Sequence, residues 1–342
     1  MKLFMPNRVI FEPSSLDYPL GKEIYNFFQN KPVEIINATS RNAARFIPGT
    51  TSAEKYVNSK KTILVTVNKN KKLDICRPSA DYQFSLVSNC PGNCEYCYLQ
   101  TTQGTKPYIK VFVNLDDVFN VIKDHINQNE GVVTTFEAAS LGDPLALEHI
   151  TGSLAHTIEF FSSLENGRLR VVTKYSNVDS LLKLNHKQNT HFRISINSNY
   201  VVEKFEHNTG SVDERIEAII KLANAGYPIG FIVAPIMIYD NWKEEYDLLF
   251  QKLEKNLVDE LSNKELTFEL IQHRFTAVAK DLIVQRFPNT KLDMEEENRS
   301  LKWGRFGRFK YVYHKEQAQE IKEYLTSIIL EKFPNADIKY FT

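Results

Sequence analysis

The feature that most constrains this chain is a group of three closely spaced cysteines. Cys90, Cys94 and Cys97 lie within eight residues in the spacing C-x3-C-x2-C, and the sequence holds only four cysteines in all. Three thiolates gathered in this way can hold an iron–sulfur cluster while one iron has no protein ligand. The spacing therefore predicts a cluster site with one iron open to chemistry.

Two other uses of these cysteines remain open at this point. A structural zinc site needs four ligands, usually in two spaced pairs, and no second Cys or His pair follows at a suitable distance. Disulfides would leave one of the three thiols unpaired, and a chain without a secretory signal keeps its thiols reduced. A zinc-bearing nucleic-acid-binding module without catalysis stays as an alternative.

Composition places limits on location and partners. The 342 residues carry 42 acidic and 42 basic side chains, so the formal net charge is zero. No apolar run is long enough to span a bilayer, and the N-terminus lacks the apolar core of a signal peptide. We therefore expect a cytoplasmic protein without a membrane partner. Contact with nucleic acid would have to come from a local basic patch, because there is no global positive field.

The order of periodic segments predicts the fold. Residues 1–80 have a mixed pattern that indicates an N-terminal subdomain, with extended runs at 8–11, 33–36 and 62–67 and a helix at 18–29. Apolar strand-like runs then alternate with helical patterns, which is typical of right-handed βαβ units around a parallel sheet. We predict a partial (β/α)6 TIM-like barrel over 81–276 and a C-terminal extension over 277–342. The predicted strands are 83–88, 132–137, 169–174, 191–197, 229–235 and 267–272, and the predicted helices are 115–127, 153–163, 179–184, 211–225 and 242–253.

Polar residues recur where the predicted strands end. In a parallel barrel these ends meet at one face, and the active site forms there. Each residue alone has an ordinary explanation as a solvated or turn residue. Their shared position instead predicts a functional face, formed by Cys90, Glu137, Ser140, Lys174, Ser195, Asn197, Ala234, Pro235, His273 and Arg274.

The cysteine spacing, with Tyr96 before the last thiol, resembles the signature of radical S-adenosylmethionine enzymes. Longer runs resemble the spore photoproduct lyase family, and the similarity extends from the Glu12-Pro13 region to the last residue. These runs are CYLQTTQGTKPYI (97–109), AGYPIGFIVAPI (225–236), TFELIQHRFT (267–276), KWGRFG (302–307) and FPNADIKYFT (333–342).

The resemblance implies a reaction and its cofactors. Members of this family revert a thymine–thymine lesion of spore DNA, using a 4Fe-4S cluster and S-adenosylmethionine to generate a 5'-deoxyadenosyl radical. That radical removes a hydrogen from the lesion, the methylene bridge breaks, and a hydrogen atom must return to the thymine radical. The partners implied are lesion-bearing double-stranded DNA and a reductant protein such as a flavodoxin or ferredoxin. A radical enzyme acting on RNA or protein is the alternative.

The resemblance also assigns residues. Cys90, Cys94 and Cys97 would bind the cluster, and Tyr98 would lie near the lesion and, with Tyr96, take part in hydrogen transfer. His273 and Arg274 are expected to contact the substrate. The residues expected to hold S-adenosylmethionine are Tyr96, Lys174, Ser195, Asn197 and Ala234.

The sequence departs from the family pattern at one position. After F-E-A the family carries a cysteine that returns the hydrogen, whereas this chain has Ser140 within the run ASLGD. A serine O–H bond is too strong to donate a hydrogen atom to a carbon radical, so another thiol is required. Cys76 is the remaining cysteine, and we expect it to be the donor; its ordinary alternative is a small buried apolar residue.

The C-terminal extension contains the local basic patch. Residues 302–310 interleave cations, aromatics and glycines, a pattern that predicts a β-hairpin. Such a hairpin can bind phosphates and insert an aromatic wedge into stacked bases. Without the family resemblance, the pattern alone favours an exposed basic hairpin whose aromatics face the core. We expect Lys302, Arg305 and Phe306 to contact DNA, in a monomeric enzyme of the spore core.

Overall fold

The structure, a computed structural model, describes residues 2–39, 43–70, 72–102, 104, 107–138, 140–261, 265–304 and 309–342. Its strands form two larger sheets and a two-stranded hairpin. The strands are β1 (Arg8–Phe11), β2 (Glu34–Asn37), β3 (Thr62–Thr66), β4 (Asp74–Ile75), β5 (Tyr82–Gln83), β6 (Val87–Ser88), β7 (Ile109–Phe112), β8 (Thr134–Glu137), β9 (Gly167–Thr173), β10 (Thr190–Ile196), β11 (Ile229–Ile236), β12 (Thr267–Gln272), β13 (Ser300–Trp303), β14 (Phe309–Val312) and β15 (Asp337–Phe341).

The helices alternate with the strands of the larger sheet, as the periodicity predicts. The best-defined start is that of α8, where Ser211 accepts from the backbone N–H of Glu214 and the Glu214 side chain accepts from the N–H of Ser211. The helices are α1 (Pro19–Phe28), α2 (Ser52–Lys60), α3 (Leu99–Thr102), α4 (Leu115–Gln128), α5 (Glu148–Thr151), α6 (Ser153–Ser162), α7 (Asn199–Phe205), α8 (Val212–Asn224), α9 (Trp242–Leu261), α10 (Ala277–Arg286) and α11 (Lys315–Lys332).

The larger sheet confirms the predicted partial barrel. Its strand order is β15-β12-β11-β10-β9-β8-β5-β4. The six strands from β5 to β12 in this sheet pair in parallel and in chain order, and β15 adds a further parallel strand beside β12. Because the strands run the same way, their C-terminal ends lie at one edge, which brings the predicted functional residues together.

A second sheet, in the order β2-β1-β3-β7-β6, is built mainly from the N-terminal segment. The boundary between the two sheets does not coincide with residue 80, the predicted end of the N-terminal subdomain. Strand β7 lies after residue 80 but pairs with β3, whereas β4 lies before it and pairs with β5 of the barrel sheet. Buried side chains of both sheets belong to one continuous apolar cluster, which includes Val9 and Ile63 on one side and Phe136 and Phe231 on the other. The N-terminal segment is therefore packed against the barrel.

Two predicted elements differ from the observed ones. The predicted strand 83–88 divides, because Phe84 donates its N–H to the Glu137 carbonyl of the barrel while Leu86 accepts from Phe112 in the other sheet. The predicted helix 179–184 is a short 3-10 turn, Asp179–Leu181. There the Leu181 carbonyl accepts from the Tyr227 hydroxyl (2.8 Å). Among the described residues, no helix combines the length and apolarity needed to cross a membrane.

Candidate active site

The loop that carries Cys90, Cys94 and Cys97, called the cysteine loop below, crosses the mouth of the barrel, which is the edge where the parallel strands end. It begins after β6, where Asn89 forms a bridge with Gly142. Its backbone is then tied to the segment that ends α7, since Asn93 donates to the His207 carbonyl (2.8 Å) and Glu95 donates to the Phe205 carbonyl (2.9 Å). These bonds place the loop over the C-terminal ends of the strands.

The three thiols fit an iron–sulfur cluster. Cys90, Cys94 and Cys97 all lie outside any disulfide bond. Backbone N–H groups point at two of the sulfurs: Gly92 donates to Cys90 Sγ (3.2 Å), and Leu99 donates to Cys97. Bonds of this kind stabilise cluster sulfur ligands and tune their potential. The described residues contain no set of three His, Cys, Asp or Glu side chains gathered for a single ion, and a cluster does not need one because each thiolate binds a separate iron.

The Lys174 ammonium is surrounded by three of the other four residues expected to hold S-adenosylmethionine. It donates to Ser195 Oγ (2.8 Å) and to the Ala234 carbonyl (3.3 Å). It also lies 5.5 Å from the ring centroid of Tyr96. The ends of β9, β10 and β11 supply these groups, as the strand positions predict. These four residues, called the Lys174 pocket below, lie beside the cysteine loop and include a cation suited to a carboxylate.

Asn197, the fifth residue expected to hold S-adenosylmethionine, bonds to other residues than Lys174. It is fully buried, its amide N–H donates to the Pro235 carbonyl (2.8 Å), and its oxygen accepts from the Tyr246 hydroxyl (2.7 Å). These bonds fix the turn that follows β10. Asn197 therefore supports the pocket wall in this structure.

Glu206 is the acidic centre of the pocket and was not predicted. Its carboxylate accepts from Lys174 (2.8 Å), from the Tyr96 hydroxyl and from the buried guanidinium of Arg215. Burial acts to raise the pKa of Glu206, but the charges of Arg215 and Lys174 outweigh it and lower the pKa to about 2. The carboxylate is thus ionised and orients both Lys174 and Tyr96.

Cys76 faces Ser140 across the mouth. Strand β4 ends one residue before Cys76, and its antiparallel pairing with β5 brings the thiol over the end of β8. The sulfur lies 3.4 Å from Ser140 Oγ, which in turn donates to Glu137 Oε1 (3.0 Å). Burial and the charge of Glu137 raise the pKa of Cys76. The side chain is therefore held as a thiol.

A buried ionic network lies beneath Glu137. Arg193 is completely buried, pairs with Glu137, and donates to both oxygens of Glu269 (2.6 and 2.8 Å). Arg170 (3.2 Å) and the Tyr340 hydroxyl complete the partners of Glu269. Sequence reasoning did not single out Arg193, although an arginine inside the apolar strand THFRISI is a signal that it needs buried partners.

The two tyrosines of the cysteine loop differ in their surroundings. Tyr96 is partly buried against Glu206, whereas the ring of Tyr98 is 54% exposed at the mouth. Desolvation is the largest cause that raises the pKa of Tyr98, and the nearby Glu137 carboxylate adds to it. Tyr98 thus keeps its hydroxyl hydrogen and lies close enough to Glu137 and Cys76 to interact with them electrostatically.

The predicted hairpin is present and adjoins the mouth. Strands β13 and β14 are antiparallel, with Trp303 opposite Phe309, and Tyr311 exchanges two backbone hydrogen bonds with Phe275. Lys302 and Arg274 are exposed, whereas His273 is buried with 3% of its surface accessible. Arg305 and Phe306, the predicted wedge, lie outside the described residues.

Comparison with known proteins agrees with this geometry. The family model described as "Spore photoproduct lyase" matches residues 4–342. The spore photoproduct lyase of a Geobacillus species is 48% identical over 342 residues, which is 100% of both chains.

Solved structures show the same likeness. A spore photoproduct lyase complexed with dinucleoside spore photoproduct has a TM-score of 0.96 and 48% identity, with 100% of both chains covered. Another structure, equal in TM-score, identity and coverage, is a double variant with bound S-adenosylmethionine and dinucleoside spore photoproduct. Its changes are cysteine to alanine at the position numbered 140 and serine to cysteine at the position numbered 76. On the full-length match to the family model and this degree of identity, the chain belongs to the spore photoproduct lyase family, whose members are radical S-adenosylmethionine lyases.

Proposed function

We propose that this enzyme reverts the spore photoproduct, a covalent thymine–thymine lesion of DNA, to two thymines. The observation that carries the proposal is the placement of the cysteine loop beside the Lys174 pocket, with a thiol, Cys76, across the same mouth. Family membership favours this reading over a zinc module without catalysis and over a radical enzyme acting on RNA or protein.

Each part of the mouth has a role in binding the cofactors. Cys90, Cys94 and Cys97 would hold a 4Fe-4S cluster, and Lys174 with Ser195 would bind the polar groups of S-adenosylmethionine. When bound, the cluster and S-adenosylmethionine supply the 5'-deoxyadenosyl radical that removes hydrogen from the lesion. Glu206 keeps Lys174 and Tyr96 in position for this cofactor.

Cys76 is proposed as the hydrogen donor that completes the repair. A carbon-centred thymine radical takes the hydrogen atom of a thiol, which forms a C–H bond and leaves a sulfur radical. A thiolate has no such hydrogen, so the donor has to be protonated. Burial and the neighbouring Glu137 carboxylate both favour the thiol form of Cys76.

Ser140 orients this thiol. Its single hydroxyl hydrogen is donated to Glu137 Oε1, on the carboxylate that also pairs with Arg193. Toward Cys76 the Ser140 oxygen is therefore the acceptor, and the S–H bond points at it over 3.4 Å. The serine that replaces the family cysteine thus holds the alternative donor in place.

The double variant among the solved structures supports an exchangeable donor position. It moves a cysteine from the position numbered 140 to the position numbered 76. In this chain those numbers belong to Ser140 and Cys76, so its own sequence has the same arrangement. Tyr98, which belongs to the cysteine loop and lies near Cys76, is proposed to return a hydrogen atom to the sulfur radical, with Tyr96 behind it.

The substrate is proposed to enter from the hairpin side. Exposed Lys302 and Arg274 provide cations for the DNA backbone, and Arg305 with Phe306 is proposed as the wedge that helps to extrude the lesion. In this proposal residues 277–342 are the DNA-contacting extension of the barrel, 81–276, which packs against the N-terminal subdomain, 1–80. His273, being buried, would support Arg274 rather than touch DNA.

A monomer of the spore core, reduced by a flavodoxin- or ferredoxin-like protein, completes the proposal. Anaerobic incubation with S-adenosylmethionine, dithionite and ultraviolet-treated dry DNA tests the activity. Loss of the cross-linked thymine product is expected, and a Cys94→Ala variant is the control without a bound cluster. Persistence of the lesion with a reduced cluster and bound S-adenosylmethionine would overturn the proposal.

A further inference from the structure

A lysine of the N-terminal subdomain reaches the cysteine loop. Lys60 is the last residue of α2, and its half-buried ammonium donates to the carbonyl of Cys90 and to the carbonyl of Gly92 (2.6 Å). Cys90 is a proposed cluster ligand, and Gly92 lies between it and Cys94. Two carbonyls of the cluster-binding segment therefore converge on one positive charge.

Helix α2 is held in place both at its first turn and near Lys60. Its first turn is closed by the capping box of Thr51 and Glu54. One turn before Lys60, the Tyr56 hydroxyl donates to Asn93 Oδ1 (2.6 Å), and the Arg286 guanidinium lies 4.5 Å from the Tyr56 ring centroid. The cysteine loop is thus held between α2 on one side and the end of α7 on the other.

The loop has little room to move away from this position. A Cβ atom added at Gly92 would lie 3.1 Å from the Tyr175 hydroxyl, 3.2 Å from Cys90 Sγ and 3.3 Å from Thr209. Because the loop is enclosed, the Lys60 ammonium stays beside the backbone carbonyl of Cys90, one of the proposed cluster ligands. The charge is thereby placed where cluster reduction adds an electron.

We propose that Lys60 is a positioning residue of the cluster site, whose positive charge raises the reduction potential of the cluster. A cation stabilises the more negative, reduced cluster over the oxidised one, and net charge near a cluster is one of the factors that set its potential. The inference rests on the cluster site of the proposed function and not on the role of Cys76. It gives the N-terminal subdomain a part in the electron transfer that starts the reaction.

A purely mechanical tether is the competing explanation, and charge separates the two. Lys60→Met removes both the donor and the charge, Lys60→Gln keeps an amide donor without the charge, and Lys60→Arg keeps the charge. Lys61→Met is the matched control, since Lys61 is the exposed neighbour in sequence and the change alters the net charge equally.

The test is an equilibrium redox titration of reconstituted enzyme without S-adenosylmethionine, followed by electron paramagnetic resonance. Lys60→Met and Lys60→Gln should shift the potential to more negative values, while Lys60→Arg and Lys61→Met stay near the parent. An unchanged potential in Lys60→Gln or Lys60→Met would overturn the proposal.

Loss of the cluster from a variant is informative as well. If both neutral variants lose iron while Lys60→Arg retains it at the parent potential, a positive charge is needed at this position, which agrees with the proposal. If Lys60→Arg also loses iron, the requirement is for the shape of lysine, and the charge role is overturned. Failure of the parent enzyme to hold any cluster would instead contradict the proposed function.

Discussion

The sulfur of Cys76 lies 3.4 Å from the hydroxyl oxygen of Ser140, so the proposed donor thiol is in direct contact with the serine at position 140. They come from β-strand ends that are far apart in sequence, one after β4 and the other after β8. A thiol at either position would therefore reach nearly the same point of the mouth. Under the proposed mechanism, this contact would let the donor change position while the site keeps its geometry.

The first prediction concerns this exchange. Cys76→Ala removes the proposed hydrogen donor and should reduce the yield of intact thymine pairs by about tenfold or more. A tenfold loss corresponds to a barrier that is higher by about 1.4 kcal/mol. Lesion-derived adducts should accumulate in its place. The double change Cys76→Ala with Ser140→Cys should recover repair. The measurement is product analysis after anaerobic turnover.

Deuterium labelling checks the same prediction independently. A thiol exchanges its hydrogen with solvent, so turnover in heavy water should place deuterium in the restored methyl group. The label should disappear from products of Cys76→Ala and return in the double variant. Full repair with solvent deuterium in Cys76→Ala would exclude Cys76 as the donor.

The second prediction concerns the Lys174 pocket. Lys174→Met should weaken the binding of S-adenosylmethionine, because a hydrogen bond to a charged group contributes about 1.5–3 kcal/mol. That is about a 10- to 150-fold loss of affinity. Equilibrium dialysis of cluster-loaded protein measures it, with Lys204→Met, an exposed lysine of α7, as the control. Equal affinities in the two variants would remove Lys174 from the site.

The sequence alone predicted those parts of the site that depend on strand ends. Lys174, Ser195 and Ala234 each follow a strong β pattern, and parallel strands bring their ends to one edge whatever the details of packing. The cysteine spacing likewise needs no tertiary information. These residues do come together in the structure.

Other parts depend on contacts that no local pattern encodes. Glu206 follows a short helix, where a carboxylate is ordinarily expected at the surface. In the structure it is buried and pairs with Arg215 and Lys174. Strand β15 pairs with β12, which lies about seventy residues earlier in the chain. Its place in the sheet therefore depends on this long-range pairing and not on the alternation of apolar and polar residues within β15. Lys60 reaches the cysteine loop only because the N-terminal sheet packs on the barrel.

The third prediction tests the buried ionic network. Arg193→Met leaves the carboxylates of Glu137 and Glu269 without their central cation, and breaking a buried pair costs about 3–5 kcal/mol. Urea unfolding of the apoprotein should show this loss. The control is Lys221→Met in the exposed pair with Asp179, which should cost about 1 kcal/mol or less. A similar small loss in both variants would contradict the role of Arg193.

The fourth prediction is a pH dependence. Glu148 is buried and accepts from the N–H groups of Leu154 (2.8 Å) and Ala155 (2.9 Å) at the start of α6. Burial raises its pKa from the ordinary 4.5 to about 7, against the opposing effect of these bonds. The folded protein thus holds the proton more tightly than the unfolded chain. The stabilisation is complete below pH 4.5 and is lost as the pH rises through about 7.

Glu148→Gln removes this titration. The free energy of unfolding of the parent should therefore fall, relative to that of the variant, by about 3 kcal/mol at most between pH 5 and 8. Urea unfolding at several pH values measures the difference, and Glu159→Gln, at an exposed position of α6, is the control. Parallel profiles for the parent and Glu148→Gln would show that Glu148 does not contribute.

The last prediction concerns the hairpin. Lys302→Ala should weaken binding to a lesion-bearing duplex and lower the slope of log affinity against log salt by about 1, because one phosphate contact is lost. Turnover of the dinucleoside lesion should be unchanged, since that substrate has no flanking duplex to hold. Arg305→Ala is expected to act in the same direction, and Lys322→Ala, an exposed lysine of α11, is the control. Equal losses on duplex and dinucleoside would place Lys302 at the chemistry rather than at the DNA backbone.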